Sequence, residues 1–404
     1  MKILLVHNSY QQPGGEDIST RAEKALLQAA GHRVVEYLRD NDEIIAYGLF
    51  KKASLPLRTV WAWDSHREIK ALIDRERPDV AHFQNTFPLI SPAAYYACRE
   101  AGVPVVQTLR NFRLLCPGAI FLDRGRLCEA CVEHSLWRAV AHGCYRHSRA
   151  ATTTVALMLA VHRWLGTWTR LVDCYIALTE FGRRKFIEGG LPAEKIAVKA
   201  NFVLQDPGTR DGRGEHALLV GRLSEEKGLQ TLLAAWARLN NRIPLEIVGD
   251  GPLRPTPQND PRHRLTGSIH FCGWLSRDRT LAAIKQARFL VFPSECYEGF
   301  PVTIAEAFAC GVPVVASRLG AMGEIVEDGR TGLHFNPGDA ADLAAKVEWA
   351  WAHPEEMAAM GRAGRAEFEA KYTAERNYDT LMEIYRRAIQ ASRNASFILP
   401  STRC

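Results

Sequence analysis

The stretch from Val291 to Ser317 constrains the fold of this chain more than any other. Phe289–Phe292 is a short apolar run stopped by Pro293, as a buried parallel strand would be, and Val312–Ala316 repeats that composition after Gly311. Pro301 stands where a first helical position belongs and Gly311 where a helix stops, so a helix of about ten residues is predicted to aim its N-terminus at the loop Ser294–Phe300. A helix N-terminus carries unpaired N–H groups and a partial positive charge, which makes this loop a candidate anion cradle. Glu298 and Glu306 flank it with seven residues between them. A carboxylate is repelled by a bound phosphate, so these two suit hydroxyl groups better. The plainer alternative is a pair of first-turn acids complementing the helix dipole.

The same alternation recurs along the chain. Lys2–His7 is a strand followed by a loop with Gly14 and Gly15 and a helical pattern over Ile18–Gly31; His32–Tyr37, Asp79–Phe83, Val103–Leu109, Asp173–Leu178 and Ile196–Ala200 are further strands. Val203–His216, rich in Asp, Gly and Arg, is the expected linker. A second unit opens with Ala217–Gly221, then Arg222-Leu-Ser-Glu-Glu-Lys227-Gly228 and a helix over Leu229–Leu239; Leu245–Val248, Ile269–Gly273 and Gly332–Phe335 supply more strands. Strand, glycine loop and helix in repetition predict an α/β protein, and 404 residues at 47% hydrophobic suffice for two separate cores. The expected architecture is two doubly wound, Rossmann-like domains facing a cleft: 1–202 with a Cys-rich insertion at about 112–148, then 203–391 ending in a helix that crosses back, then a disordered tail at 392–404. No G-x-G-x-x-G fingerprint follows the first strand. There, Gly14 and Gly15 serve either a tight turn needing positive φ or a close approach to a ligand.

The run Glu298-Gly-Phe-Pro-Val-Thr-Ile-Ala-Glu306 resembles the E-x7-E signature of the family 4 retaining glycosyltransferases, which use nucleotide-sugar donors on a GT-B fold. The resemblance implies that Glu306 takes the ribose hydroxyls of the donor, and that Glu298 with the backbone of Gly299, Phe300, Pro301 and Val302 meets the sugar and diphosphate. It also implies that Arg222 and Lys227 grip the diphosphate, the first by forked hydrogen bonds and the second as a point charge. Gly14 and Gly15 would approach the donor phosphate or the acceptor, and backbone groups near Gly273 would contact the base. In many relatives the end of the fourth strand carries a histidine near the sugar. Here the position is Arg110, a permanent cation that suits a phosphate or an acidic acceptor.

Four cysteines, Cys116, Cys128, Cys131 and Cys144, are spaced C-x11-C-x2-C-x12-C. In a chain without an export signal at its N-terminus this pattern fits a structural zinc site, or else buried free thiols. Residues 1–205 hold 27 Lys and Arg against 20 Asp and Glu, and the remainder 24 against 25. The basic half suits a solvated face, an anionic acceptor or a membrane surface, with no motif for nucleic acid. Ala150–Trp168 is expected as one long amphipathic helix, packed on its own core or, through Trp164 and Trp168 with Arg163 and Arg170, lying on a membrane. A cytoplasmic protein, peripheral at the inner membrane face if it touches a membrane at all, is the expectation.

The function expected from all this is metal-independent transfer of a sugar, with retention, from a nucleotide-diphosphate sugar to a glycan or lipid-linked acceptor. A nucleotide-sugar epimerase of the same architecture and a silent sugar-nucleotide-binding protein are the alternatives.

Overall fold

A computed structural model describes residues 1–11, 14–254 and 268–398. The chain divides into two compact units, one of residues 1–121, 128–204 and 375–404, the other of 122–127 and 205–374.

The first unit is a six-stranded parallel sheet of β1 (Lys2–Ser9), β2 (Arg33–Asp40), β3 (Val80–Asn85), β4 (Val105–Leu109), β7 (Cys174–Ala177) and β8 (Ile196–Val198), in the order β2-β1-β3-β4-β7-β8. A two-stranded antiparallel hairpin, β5 (Leu122–Asp123) and β6 (Arg126–Leu127), lies between β4 and β7 in sequence. The apolar run of β1 and all six residues of β3, including His82, Gln84 and Asn85, are buried, as in strands covered on both faces. The C-terminal helix Ala374–Ile398 belongs to this unit: Leu381, Met382, Ile384, Tyr385 and Ala388 join Ile3, Leu27, Val80, Val106 and Ile176 in one buried cluster. That helix continues through Ser392, so the disorder expected from 392 onward is not found up to Ile398. Its buried stripe anchors the earlier turns, and nothing between Ser392 and Ile398 is a helix breaker. Residues 399–404 lie outside the described residues.

The long helix expected over Ala150–Trp168 ends at Trp164. Gly166 takes a left-handed conformation (φ 67°) and starts a separate turn, Thr167–Arg170, which turns Trp168 inward. Trp168 is buried beside Tyr95 and His162 and has no part in an exposed face. Trp164 stays 85% exposed.

The second unit is also a six-stranded parallel sheet: β9 (His216–Val220), β10 (Leu245–Val248), β11 (Ile269–Gly273), β12 (Ala287–Phe292), β13 (Val314–Ser317) and β14 (Gly332–Phe335), ordered β11-β10-β9-β12-β13-β14. One face, with Ala217, Leu219, Leu245, Ile247, Phe289 and Val291, packs against Leu232, Trp236, Leu343 and Val347 of the helices Leu229–Arg238 and Ala340–Ala352. In this order the first two connections step outward to one side of β9 and the next ones to the other. The chain reverses direction across the sheet between β9 and β12, and the loops leaving those two strands part there. Open α/β sheets bind ligands at such a switch point, outside the carboxyl ends of the strands.

Candidate active site

The two loops at the switch point are those singled out in the sequence. After β9 come Arg222 and Lys227, and after β12 comes Ser294–Phe300. Backbone hydrogen bonds stitch the surrounding strand ends together: Gly221 N–H to Val248, Leu223 N–H to Asp250 and Gly249 N–H to Gly273, each at 2.8–3.0 Å. The β12 loop is tied directly to the β9 loop by Glu295 N–H to the Glu226 carbonyl at 2.9 Å. Gly228 makes this approach possible. It is left-handed (φ 71°), and a Cβ there would stand 1.9 Å from the Pro293 carbonyl oxygen.

That seam brings Lys227 to Glu298, Nζ to Oε1 at 2.5 Å, while Ser294 Oγ donates to the same oxygen at 2.8 Å. Burial alone would push the Lys227 ammonium down, but the Glu298 carboxylate outweighs it and holds the group above its ordinary value. Lys227 therefore stays charged and positioned, with part of its side chain open to solvent. The Arg222 side chain is exposed and has no hydrogen-bond or ion-pair partner among the described residues. A cation left unpaired beside an organised ion pair is suited to take an anion from solvent.

The helix after the loop is Val302–Ala309, with Pro301 as its N-cap and Gly311 left-handed just past its end. It starts one residue later than expected. No side chain caps its N-terminus and its first turn holds no acid, so the free N–H groups and the dipole are available to a ligand. Glu298 precedes the helix and is bonded to Lys227 and Ser294; Glu306 lies in the second turn. Neither is a first-turn acid, which removes the plainer reading of the pair. Glu306 is nearly buried, its closest cation being Arg277 at 3.9 Å. Burial raises its carboxyl to about 7, only partly offset by Arg277. Sequence reasoning did not single out Ser294 or Arg277: a serine and an arginine in loop and helix carry no signal until the fold sets them beside the two glutamates. Gly273 is left-handed (φ 71°) at the end of β11, and Phe300 is buried against Tyr372.

In the first unit, β1 ends in the loop carrying Gly14 and Gly15, beside its own reversal of strand order between β1 and β3. Neither glycine has positive φ, and a Cβ on either would meet nothing within 4 Å. The turn itself does not require glycine, contrary to the expectation that any reading would. Asp17 holds the loop by accepting from Gly14 N–H at 2.9 Å and bonding His7 Nε2 at 2.8 Å.

Arg110 ends β4 as expected, but it is not a free cation. Its guanidinium is buried and donates to Gln84 at 2.9 Å and to Asn201, with Glu23 4.0 Å away. Glu23 is itself buried and salt-bridged to Lys199 at 2.9 Å. Burial would raise the Glu23 carboxyl, yet Lys199, His82 and Arg110 together hold it down at about 2. His82, also buried, is pushed down to about 4, desolvation outweighing the opposite pull of Glu23. A ligand contact from Arg110 would compete with these bonds.

No disulfide joins Cys116, Cys128, Cys131 and Cys144. Burial, then the neighbouring Cys116 and Cys128 thiols, raise the Cys131 thiol to about 11. Cys144 lies across Gly118 from Cys116, with the ideal Gly118 Cβ position 3.6 Å from the Cys116 sulfur and 3.7 Å from Cys144 Cβ.

Comparison with known proteins gives the family. Residues 13–203 match the family Glycosyltransferase Family 4, and residues 214–353 match Glycosyl transferases group 1. The chain is 33% identical over 402 residues to the glycogen synthase of Mycobacterium tuberculosis, covering 96% of this chain and 88% of that protein. The chain belongs to the GT-B glycosyltransferases. This glycosyltransferase is also 29% identical over 276 residues to the 2-deoxystreptamine glucosyltransferase of Streptomyces kanamyceticus, covering 67% of each. Its fold is shared with sucrose-phosphate synthase from Thermosynechococcus elongatus (TM-score 0.70, 18% identity, 97% of this chain and all of that one). It is shared too with Anabaena HepE, solved in complex with UDP and glucose (TM-score 0.66, 19% identity, 95% of this chain and 98% of that one). It is an enzyme that transfers sugars. Among its described residues no helix is long and apolar enough to cross a membrane.

Proposed function

We propose that this glycosyltransferase takes its sugar from a nucleoside diphosphate sugar bound at the β9/β12 switch point and passes it, with retention and without a catalytic metal, to a glycan or lipid-linked acceptor. The observation that carries this reading is the Lys227–Glu298–Ser294 cluster set before the uncapped helix Val302–Ala309. The leaving diphosphate lies against Val302 and its neighbours, where helix N–H groups, Lys227 and Arg222 neutralise the charge that develops as the glycosidic bond breaks. Lys227 is already held in place, so little reorganisation accompanies the reaction. Glu298, fixed from one side by Lys227 and Ser294, offers its second oxygen to sugar hydroxyls. Glu306 accepts from the ribose hydroxyls when ionised, and the backbone from Gly299 to Val302 lines the phosphate side. The backbone at Gly273 meets the base. In the first unit, Gly14 and Gly15, whose missing side chains leave open space, offer a ligand approach, and Arg110 orders Gln84 and Asn201.

The nucleotide is tested by thermal shift with UDP, GDP, ADP and their sugars, since a ligand bound only by the folded chain stabilises it by mass action. UDP is the first to try, being the nucleotide in the HepE structure. With the donor in hand, Lys227→Ala is expected to lower transfer about 10²- to 10³-fold, the loss found when one preorganised charge-stabilising group is removed. Full transfer by Lys227→Ala overturns the assignment, as does conversion of the sugar nucleotide to an isomeric one with no acceptor consumed.

Membrane contact is assigned in this reading to the helix Leu49–Val60, which packs beside Arg149–Trp164. Leu49 and Phe50 are 87% and 93% exposed next to Lys51 and Lys52, and Trp164 is also exposed. Aromatic and leucine side chains among lysines suit the interface of an anionic bilayer, where a lipid-linked acceptor would reside. For the insertion, the expected four-thiol zinc site is kept only as a proposal: among the described residues Cys144 groups within 4.8 Å with Asp123 and His142 rather than with the other three thiols, and metal analysis of the serine variants shows which donors take part.

A further inference from the structure

At the far edge of the second sheet, on the face turned away from the Trp236 core, the strands gather three side chains of metal-binding type. Glu246 of β10 is paired in register with His270 of β11, and Cys272 lies two residues further along the same face. A register shift follows Ile247, where Gly273 rather than Cys272 pairs with Val248. Such a bulge re-aims the side chain beside it. Cys272 Sγ stands 3.4 Å from His270 Nδ1 and 3.9 Å from Glu246 Oε2, and the three donor atoms all lie within 4.8 Å of one another. Metal–ligand bonds of 2.0–2.3 Å at tetrahedral angles put donors about 3.3–3.8 Å apart, so the observed spacing is close to that of a loaded site.

A second, independent observation points into the same place. The His216 side chain of β9 is 11% exposed, and its Nε2 makes no formed hydrogen bond but lies 3.3 Å from Glu246 Oε2. A buried ring nitrogen without a partner is costly unless something else satisfies it. It stands behind the carboxylate, where an N–H group orienting a metal-ligating Glu would be expected.

We propose that Glu246, His270 and Cys272 form a zinc site, with solvent in the fourth position and His216 orienting Glu246. One nitrogen, one thiolate and one carboxylate make a donor set of intermediate softness, suited to zinc and unsuited to magnesium or calcium. On binding, Cys272 releases its proton to solvent and the metal joins Sγ, Nδ1 and a carboxylate oxygen, which clamps edge strand β11 to β10. None of the three ligands touches Lys227, Glu298 or Glu306, but Cys272 precedes Gly273, so the site steadies the strand end proposed to meet the base rather than taking part in transfer.

Cobalt(II) is the probe, because thiolate-to-cobalt charge transfer and the visible bands of a four-coordinate ion report both the sulfur ligand and the geometry. Metal-stripped full-length protein is titrated as wild type, Cys272→Ser and His270→Ala, and each again in a Cys131→Ser/Cys144→Ser background that disables both the four-thiol set and the Asp123, His142 and Cys144 cluster. The expected result is that the double-serine background keeps the thiolate band, and that Cys272→Ser or His270→Ala in that background removes it together with about one equivalent of bound metal. His216→Ala is expected to keep the band and weaken cobalt binding about 10- to 100-fold, as loss of an orienting partner does. The inference is overturned if the background protein takes up no cobalt, or if its uptake and spectrum are unchanged by both Cys272→Ser and His270→Ala. Folding of each variant is checked by circular dichroism, and the exposed or half-exposed position of both side chains leaves the core untouched.

Discussion

Replacing Glu306 with glutamine separates the energetic burden of this carboxyl from its use. Its value of about 7, against the usual 4.5, means that the folded chain keeps a proton which the unfolded chain has lost over that interval. Stability therefore falls as pH rises from about 4.5 to about 7 and levels off above, where the buried charge costs about 3 kcal/mol at 1.36 kcal/mol per unit. Glutamine is nearly isosteric and carries no charge, so Glu306→Gln is expected to match the wild type at pH 4.5 and exceed it by up to about 3 kcal/mol at pH 8. Urea unfolding at a series of pH values, with no nucleotide present, measures this directly. The same variant is expected to bind the donor more weakly, since a carboxylate accepting from ribose hydroxyls makes charge-assisted bonds that an amide oxygen does not. For the wild type, nucleotide affinity should rise with pH through about 7 as the carboxyl ionises. A stability difference that is flat with pH would refute the claim that burial raises Glu306. Nucleotide affinity unchanged in Glu306→Gln would refute its contact with the ribose.

Three further outcomes are expected. Gly228→Ala forces a Cβ into the Pro293 carbonyl and an unfavourable φ, so a loss of about 3 kcal/mol or more in thermal or chemical unfolding should accompany a fall in activity. Glu23→Ala leaves Lys199 and Arg110 buried without their counter-charge and should cost about 3–5 kcal/mol; because Glu23 is held near 2, its contribution in the wild type is present above about pH 4.5 and is lost as pH falls toward 2, readable by acid unfolding of the two proteins. Phe50→Glu with Leu49→Glu should abolish co-flotation with vesicles containing anionic phosphatidylglycerol while leaving transfer to a soluble acceptor intact, and flotation that persists would remove this helix from any membrane contact.

The central strands were legible because a parallel strand buried on both faces has to be almost wholly apolar: Phe289–Phe292 and Val314–Ala316 fall inside the buried strands β12 and β13. Punctuation by Pro301 and Gly311 likewise marks the helix between them, to within one residue. Local signals failed where tertiary packing overrode them. The Gly166 turn that buries Trp168 is invisible in an otherwise helical pattern, and the terminal helix runs past Ser392 because its earlier turns are anchored in the first core.

The residue types and spacing of Glu298, Glu306, Arg222 and Lys227 are set by sequence, but their partnership is not. Only the order β11-β10-β9-β12-β13-β14 puts the β9 and β12 loops side by side, and only then does Lys227, seventy-one positions away, reach Glu298. Arg110 shows the reverse case, since a cation at a strand end looks free until folding surrounds it with Gln84, Asn201 and Glu23. Periodicity and turn chemistry are short-range properties and can be read along the chain. Which charges are neutralised, buried or left open depends on distances through space, and those exist only once the sheet has closed.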